Sequence, residues 1–205
     1  MIENRKKVYD NLKGYRTDLT HPGYVYTYDI DEKHYANLKN SSLKYLNESL
    51  SIYYGKNFNI NDREQLGENI DNILSMPNIT PGGKFLPKKE TAHHLNDLQK
   101  YFLEYLDDIN LLNEIDELQS INIWIKSYKQ NKKHSQRKKY TGKIHSDAWV
   151  GHYGDCILWL SPLMGKDNTM EILRPINPAS NFLQVAETFE EGQKRYSDTE
   201  SICKV

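Results

Sequence analysis

Residues 143–151 read Lys-Ile-His-Ser-Asp-Ala-Trp-Val-Gly and are the most informative segment of this chain. Apolar and aromatic residues that end at a glycine predict a strand over residues 144–150. Side chains at positions i and i+2 of a strand point to the same face, so His145 and Asp147 converge while Ser146 points away. The segment therefore predicts a strand that presents an imidazole beside a carboxylate.

An imidazole and a carboxylate on one strand face are two of the three ligands of a facial iron(II) site, whose third ligand is a second histidine. Such a site leaves three positions open for a bidentate co-substrate and dioxygen. Taken alone, the pair is close to chance level in a chain with 7 histidines. A surface strand with two polar residues is an equally good interpretation of residues 144–147.

Strand-like segments flank this pair on both sides. Residues 121–125, Ile-Asn-Ile-Trp-Ile, alternate with period two and predict a strand. A basic loop follows over residues 126–143, and further strand-like runs cover residues 155–160 and 169–173. The chain from residue 121 onward is therefore predicted to be rich in β structure.

The first 120 residues instead have helical patterns. After a predicted strand at residues 24–28, an apolar stripe predicts a helix that is capped by Asp29 or Asp31, runs to about Tyr54 and stops at Gly55. Further helices are predicted over residues 62–74 and 91–107, with a loop over residues 76–89. We expect one α+β domain over residues 1–205, mainly helical over 1–120 and β-rich over 121–205.

Residues 143–151, 156–163 and 168–175 together resemble the core of the iron(II)- and 2-oxoglutarate-dependent oxygenases. The nearest branch is the phytanoyl-hydroxylase-like group found in bacterial carbohydrate biosynthesis clusters, and the resemblance covers residues 121–175. It implies a double-stranded β-helix (jelly-roll, cupin-like) core. It also implies Fe(II) held by His145 and Asp147, 2-oxoglutarate as co-substrate, and a sugar or another small polar metabolite of cell-envelope synthesis as substrate.

The chain departs from the family pattern at the third ligand. The family places a histidine well downstream, followed by a basic residue that binds the co-substrate, whereas no histidine follows His152 here. The expectation is therefore a C-terminally truncated chain with an incomplete barrel, in which activity is in doubt. The alternative is a non-catalytic binding module of the same fold.

The composition bounds the remaining possibilities. A net charge of -1 argues against nucleic acid as the main partner, although the basic loop could contact a phosphate group or be simply solvated. Two cysteines without CxxC spacing favour a reducing cytoplasm. No apolar run is long enough to predict a membrane span. His93 and His94 lie on a predicted helix, where one is expected to face the core and the other the solvent, without a metal role.

Overall fold

A computed structural model describes residues 15–17, 26–127 and 158–165, together with positions 188, 190, 191 and 194. The described residues form several helices and a few short strands, which is compatible with the α+β expectation. Contacts divide the chain into two compact units, Met1–Ile125 with Pro162–Lys166 and Lys126–Ser161 with Asp167–Val205. One domain over residues 1–205 stays a prediction.

Four α-helices lie within residues 26–127. They are α1 (Glu32–Tyr54), α2 (Arg63–Glu68), α3 (Ile70–Ser75) and α4 (Ala92–Asp108), with short 3-10 turns at Lys89–Thr91 and Leu112–Glu114. The predicted first and third helices are thereby confirmed to within a residue or two at each end. None of the helices in the described ranges combines the length and apolar character that a membrane span requires.

Local capping chemistry sets both ends of α1. The Asp31 side chain accepts the backbone N–H of His34, which satisfies one of the donors that a helix start leaves open. Gly55 ends the helix at a φ of 63°, in the left-handed region that glycine enters at low cost. Asp31, one of the two predicted caps, and Gly55 are thereby confirmed as the boundary residues.

The helix predicted over residues 62–74 is in fact two helices. Asp62 caps α2 by accepting the Gln65 N–H at 2.9 Å, as its position before the helix suggests. Asn69 then leaves the helical conformation and both ends α2 and begins α3. Gly67 and Asn69 are poor helix formers, and their proximity accounts for the break.

The described β structure consists of two antiparallel two-stranded sheets. Strand β1 (Tyr15–Thr17) pairs with β2 (Tyr26–Tyr28), and β3 (Lys84–Phe85) pairs with β4 (Ile123–Trp124). The predicted strands at residues 24–28 and 121–125 are thus confirmed in part. The loop predicted over residues 76–89 contains β3, which the sequence reasoning missed.

A tight turn precedes β3. The Gly83 N–H donates to the Thr80 carbonyl at 2.8 Å, and Gly83 has a φ of 91°. The Ile125 N–H in turn donates to the Gly83 carbonyl at 2.8 Å, which extends the β3–β4 pairing. Residues 158–160, from the predicted strand 155–160, lie outside any strand, and the predicted strands 144–150 and 169–173 lie outside the described residues.

The core of the first unit forms where α1 meets α3 and β3. Tyr45 stacks on Phe85 with ring centroids 4.4 Å apart, and Leu50 and Ile73 are fully buried. The buried cluster comprises Leu43, Tyr45, Leu46, Leu50, Ile60, Ile73, Met76 and Phe85. The leucines of this set that lie on α1 belong to the apolar stripe predicted for that helix.

Helices α1 and α4 pack antiparallel, and two polar contacts define their register. His34 near the start of α1 meets Asp108 at the end of α4, while Glu48 later in α1 meets His94 at the start of α4. Each pair of partners on one helix is 14 residues apart, close to four helical turns, so both contacts lie on the same helix faces. This pairing places Glu48 beside the first turn of α4.

Candidate metal centre

Glu48, His93 and His94 converge where α1 crosses the first turn of α4. The His94 Nε2 atom makes a hydrogen-bond contact with Glu48 Oε2. The His93 Nε2 atom lies 3.7 Å from the same oxygen. The two imidazole rings lie side by side with centroids 4.1 Å apart. One carboxylate oxygen is therefore shared by two neighbouring imidazoles.

The start of α4 favours a nearby carboxylate. The first turn of α4 contains no acidic residue, and its N-cap, Thr91, makes no side-chain capping hydrogen bond. A helix start carries partial positive charge from its open N–H groups, and a nearby carboxylate stabilises it. Glu48 brings that negative charge from the neighbouring helix.

The three side chains differ in exposure. His94 is 13% exposed and packs beside the Tyr45 ring, with centroids 6.3 Å apart. Glu48 is 40% exposed and His93 is 59% exposed. This confirms the prediction that one histidine faces the core and the other the solvent, with His94 inside. The group is thus anchored on one side and open to water on the other.

The donor atoms are close enough to share one ion. The imidazole nitrogens and the carboxylate oxygen all lie within 4.8 Å of one another. The expectation that His93 and His94 have no metal role rested on the lack of a further ligand at helical spacing. Glu48 was missed because it lies 46 residues before His94, and helical periodicity relates only residues within one helix.

The predicted iron ligands stand apart from this group in the sequence. His145 and Asp147 lie outside the described residues, as does the basic loop beyond residue 127. Their convergence on one strand face stays a prediction. The described part of the chain therefore brings together a histidine and glutamate set that the sequence did not predict.

A third histidine of the α1–α4 pair, His34, is buried between two carboxylates. Its Nδ1 contacts Asp31 Oδ2, and its Nε2 lies 3.2 Å from Asp108 Oδ2 without the alignment of a hydrogen bond. Its ring also packs on Tyr105, with centroids 5.4 Å apart. The hydrogen bond from the His34 side chain, helped by the His34 backbone N–H, holds the pKa of Asp31 below its usual range.

Asp31, His34, Tyr105 and Asp108 form a second cluster, which we call the His34 cluster. Tyr105 lies at its buried end. Burial is the main cause that raises the pKa of Tyr105 to about 12, and the negative charges of Asp31 and Asp29 add to it. Because the neutral phenol is favoured, Tyr105 serves here as a packing residue at ordinary pH. The His34 cluster stabilises the α1–α4 contact. The Glu48 group, which is open to water on one side, is therefore the better candidate for ligand binding.

Comparison with known proteins gives no independent assignment. Searches against protein-family models, curated proteins and solved structures found no match to this chain.

Proposed function

We propose that this chain is an oxygenase-like protein of the iron(II)- and 2-oxoglutarate-dependent type. Its substrate would be a sugar or another small polar metabolite of cell-envelope carbohydrate synthesis, in the cytoplasm. The observation that carries the proposal is the amino-acid sequence of three segments, which resembles the core of that family. These segments are residues 143–151, 156–163 and 168–175. The proposed core is a double-stranded β-helix that follows the helical residues 1–120.

The chemistry of the donor set fits the proposed metal. His145 supplies an imidazole and Asp147 a carboxylate, and this mixed nitrogen and oxygen set suits Fe(II) in sites that keep open positions. When bound, iron and 2-oxoglutarate would supply, with dioxygen as the oxidant, an oxidative decarboxylation to succinate and carbon dioxide that is coupled to hydroxylation of a substrate C–H bond, one oxygen atom going to succinate and the other to the hydroxylated product. The role proposed for His145 and Asp147 is to hold the iron and leave room for co-substrate and substrate.

Anaerobic titration with Fe(II) tests this ligand assignment. We expect binding that is lost in His145→Ala and in Asp147→Ala and kept in His134→Ala, a matched control outside the motif. Each variant is best prepared with His93→Ala, so that the Glu48 group does not contribute a second site. Undiminished iron binding in His145→Ala would contradict the assignment.

The alternative function is a non-catalytic binding module of the same fold. The observation that favours it is that residues 121–205 contain only His134 and His152 besides His145, and neither is identified as a third ligand. Formation of succinate and carbon dioxide from 2-oxoglutarate, dependent on added iron and on His145, would support the enzyme. Binding of 2-oxoglutarate without turnover would support the module, and salt-dependent binding of DNA or RNA would support neither.

A further inference from the structure

We propose that Glu48, His93 and His94 bind a divalent transition-metal ion of the zinc class and thereby fasten α1 to α4. The proposal rests on the measured positions of these three side chains. It involves neither His145 nor Asp147, and it holds whether or not the chain is an oxygenase.

The distances suit a single small ion. Zinc bonds to histidine nitrogen and carboxylate oxygen at roughly 2.0–2.1 Å, so two ligand atoms at a tetrahedral angle lie about 3.3 Å apart. The His93 and Glu48 donor atoms are 3.7 Å apart, and no pair in the group exceeds 4.8 Å. His93 and Glu48 are the more exposed members of the group, so rotation of their side chains would adjust these distances.

The existing contact between His94 and Glu48 prepares the site. The His94 Nε2 and Glu48 Oε2 atoms already face each other as hydrogen-bond partners. An ion would replace this hydrogen bond and sit between the two atoms, with the Glu48 side chain moving back slightly. His94 supplies the fixed ligand because it is largely buried against Tyr45, and the open side beside His93 leaves a position for water.

The ligand types select the class of ion. Two imidazoles and one carboxylate suit zinc and its late first-row neighbours, whereas calcium and magnesium prefer oxygen ligands alone. Three protein ligands with an open position match the number found in zinc sites that bind an exchangeable water. The positive end of the α4 dipole lies beside the ion and weakens binding, while the Glu48 charge opposes that effect.

Calorimetric titration with zinc chloride is the direct test. We use the full chain carrying His145→Ala and Asp147→Ala, so that the proposed iron ligands cannot contribute. One zinc ion per chain is expected, with an affinity that falls by at least about tenfold in His93→Ala and in Glu48→Gln. Asn96→Ala, another exposed position on α4, is the matched control and should leave the affinity unchanged.

Thermal unfolding gives a second readout. Zinc at about a hundredfold excess over its dissociation constant should raise the Tm by roughly 5 °C or more, because it binds only the folded helix pair. Calcium and magnesium at the same concentration as the zinc should give no shift. The His93→Ala variant should lose the zinc-induced rise in Tm. It should keep its fold, since alanine stabilises a helix at an exposed position.

Two results would overturn the proposal. One is zinc binding of equal strength in the parent chain, His93→Ala and Glu48→Gln. The other is no zinc binding to a parent chain that circular dichroism shows to be folded. If the parent background does not fold, the same comparison in the unmodified chain decides the matter through the loss of one zinc equivalent. Neither result bears on iron binding at His145, which the Fe(II) titration measures separately.

Discussion

Asp31 holds His34 by two contacts from one carboxylate. Its Oδ1 accepts the His34 backbone N–H at 3.0 Å, and its Oδ2 contacts the ring Nδ1. The first contact caps α1, and the second orients a buried ring toward Asp108 and Tyr105 on α4. The start of one helix is thereby linked to the end of the other.

Replacement of Asp31 separates these two roles. Asp31→Ala should lower the free energy of unfolding by about 1 kcal/mol, the usual cost of losing a side-chain N-cap. Asp31→Asn keeps an oxygen that can accept the His34 N–H and should lose less. Urea denaturation of both variants at neutral pH measures the difference, and equal losses would show that the cap acceptor is not what matters.

The lowered pKa of Asp31 predicts a loss of stability in acid. Its contribution is fully present above the carboxyl pKa of the unfolded chain, about 3.9, and disappears as pH falls through the lower folded value. The stability difference between the parent chain and Asp31→Asn should therefore shrink below about pH 4. Urea midpoints between pH 3 and pH 7 test this, and a constant difference would contradict it.

The raised pKa of Tyr105 predicts a loss of stability in alkali. Its pKa is raised to about 12, so the folded state favours the neutral phenol, and the stability this provides below pH 10 is lost as pH rises toward 12. Tyr105→Phe should remove that part of the decline. Because the chain has 15 tyrosines, the difference between the ultraviolet phenolate titrations of the parent chain and Tyr105→Phe isolates this group. Asp31→Asn should lower the Tyr105 pKa because one nearby negative charge is gone.

Two glycines should respond to alanine with opposite signs. Gly55 has a φ of 63°, so Gly55→Ala should cost about 1–2 kcal/mol of stability. Gly67 lies inside α2 with open space around the position of an added Cβ, so Gly67→Ala should gain about 0.5–1 kcal/mol. Thermal melts of the two variants provide the comparison, and changes of the same sign would refute the boundary assigned to α1.

Leu50 and Ile52 provide a matched test of the core. Leu50 is fully buried, and Leu50→Ala should cost about 2–5 kcal/mol through lost contacts and the cavity it leaves. Ile52 on the same helix is 54% exposed, and Ile52→Ala should change stability by no more than about 0.5 kcal/mol. Comparable losses would mean that α1 buries a different face.

Helix positions could be predicted from the sequence because their signals are local. Asp31, Gly55 and Asp62 act within one turn of their own backbone, and the leucine stripe of α1 repeats with the helical period. The break at Asn69 was missed because two moderately unfavourable residues are weak signals individually. Strand β3 was missed because Lys84 and Phe85 become a strand only by pairing with Trp124 and Ile123, about 40 residues away.

The two candidate sites differ in the same way, since one is predicted from local sequence and the other depends on long-range contacts. The sequence alone predicts that His145 and Asp147 point to the same face of a strand, because side-chain alternation needs only neighbouring residues. Only the tertiary structure brought Glu48 to His93 and His94, because that contact depends on the antiparallel register of α1 and α4. The register is in turn set by side-chain packing between residues far apart in the chain, which no local pattern encodes.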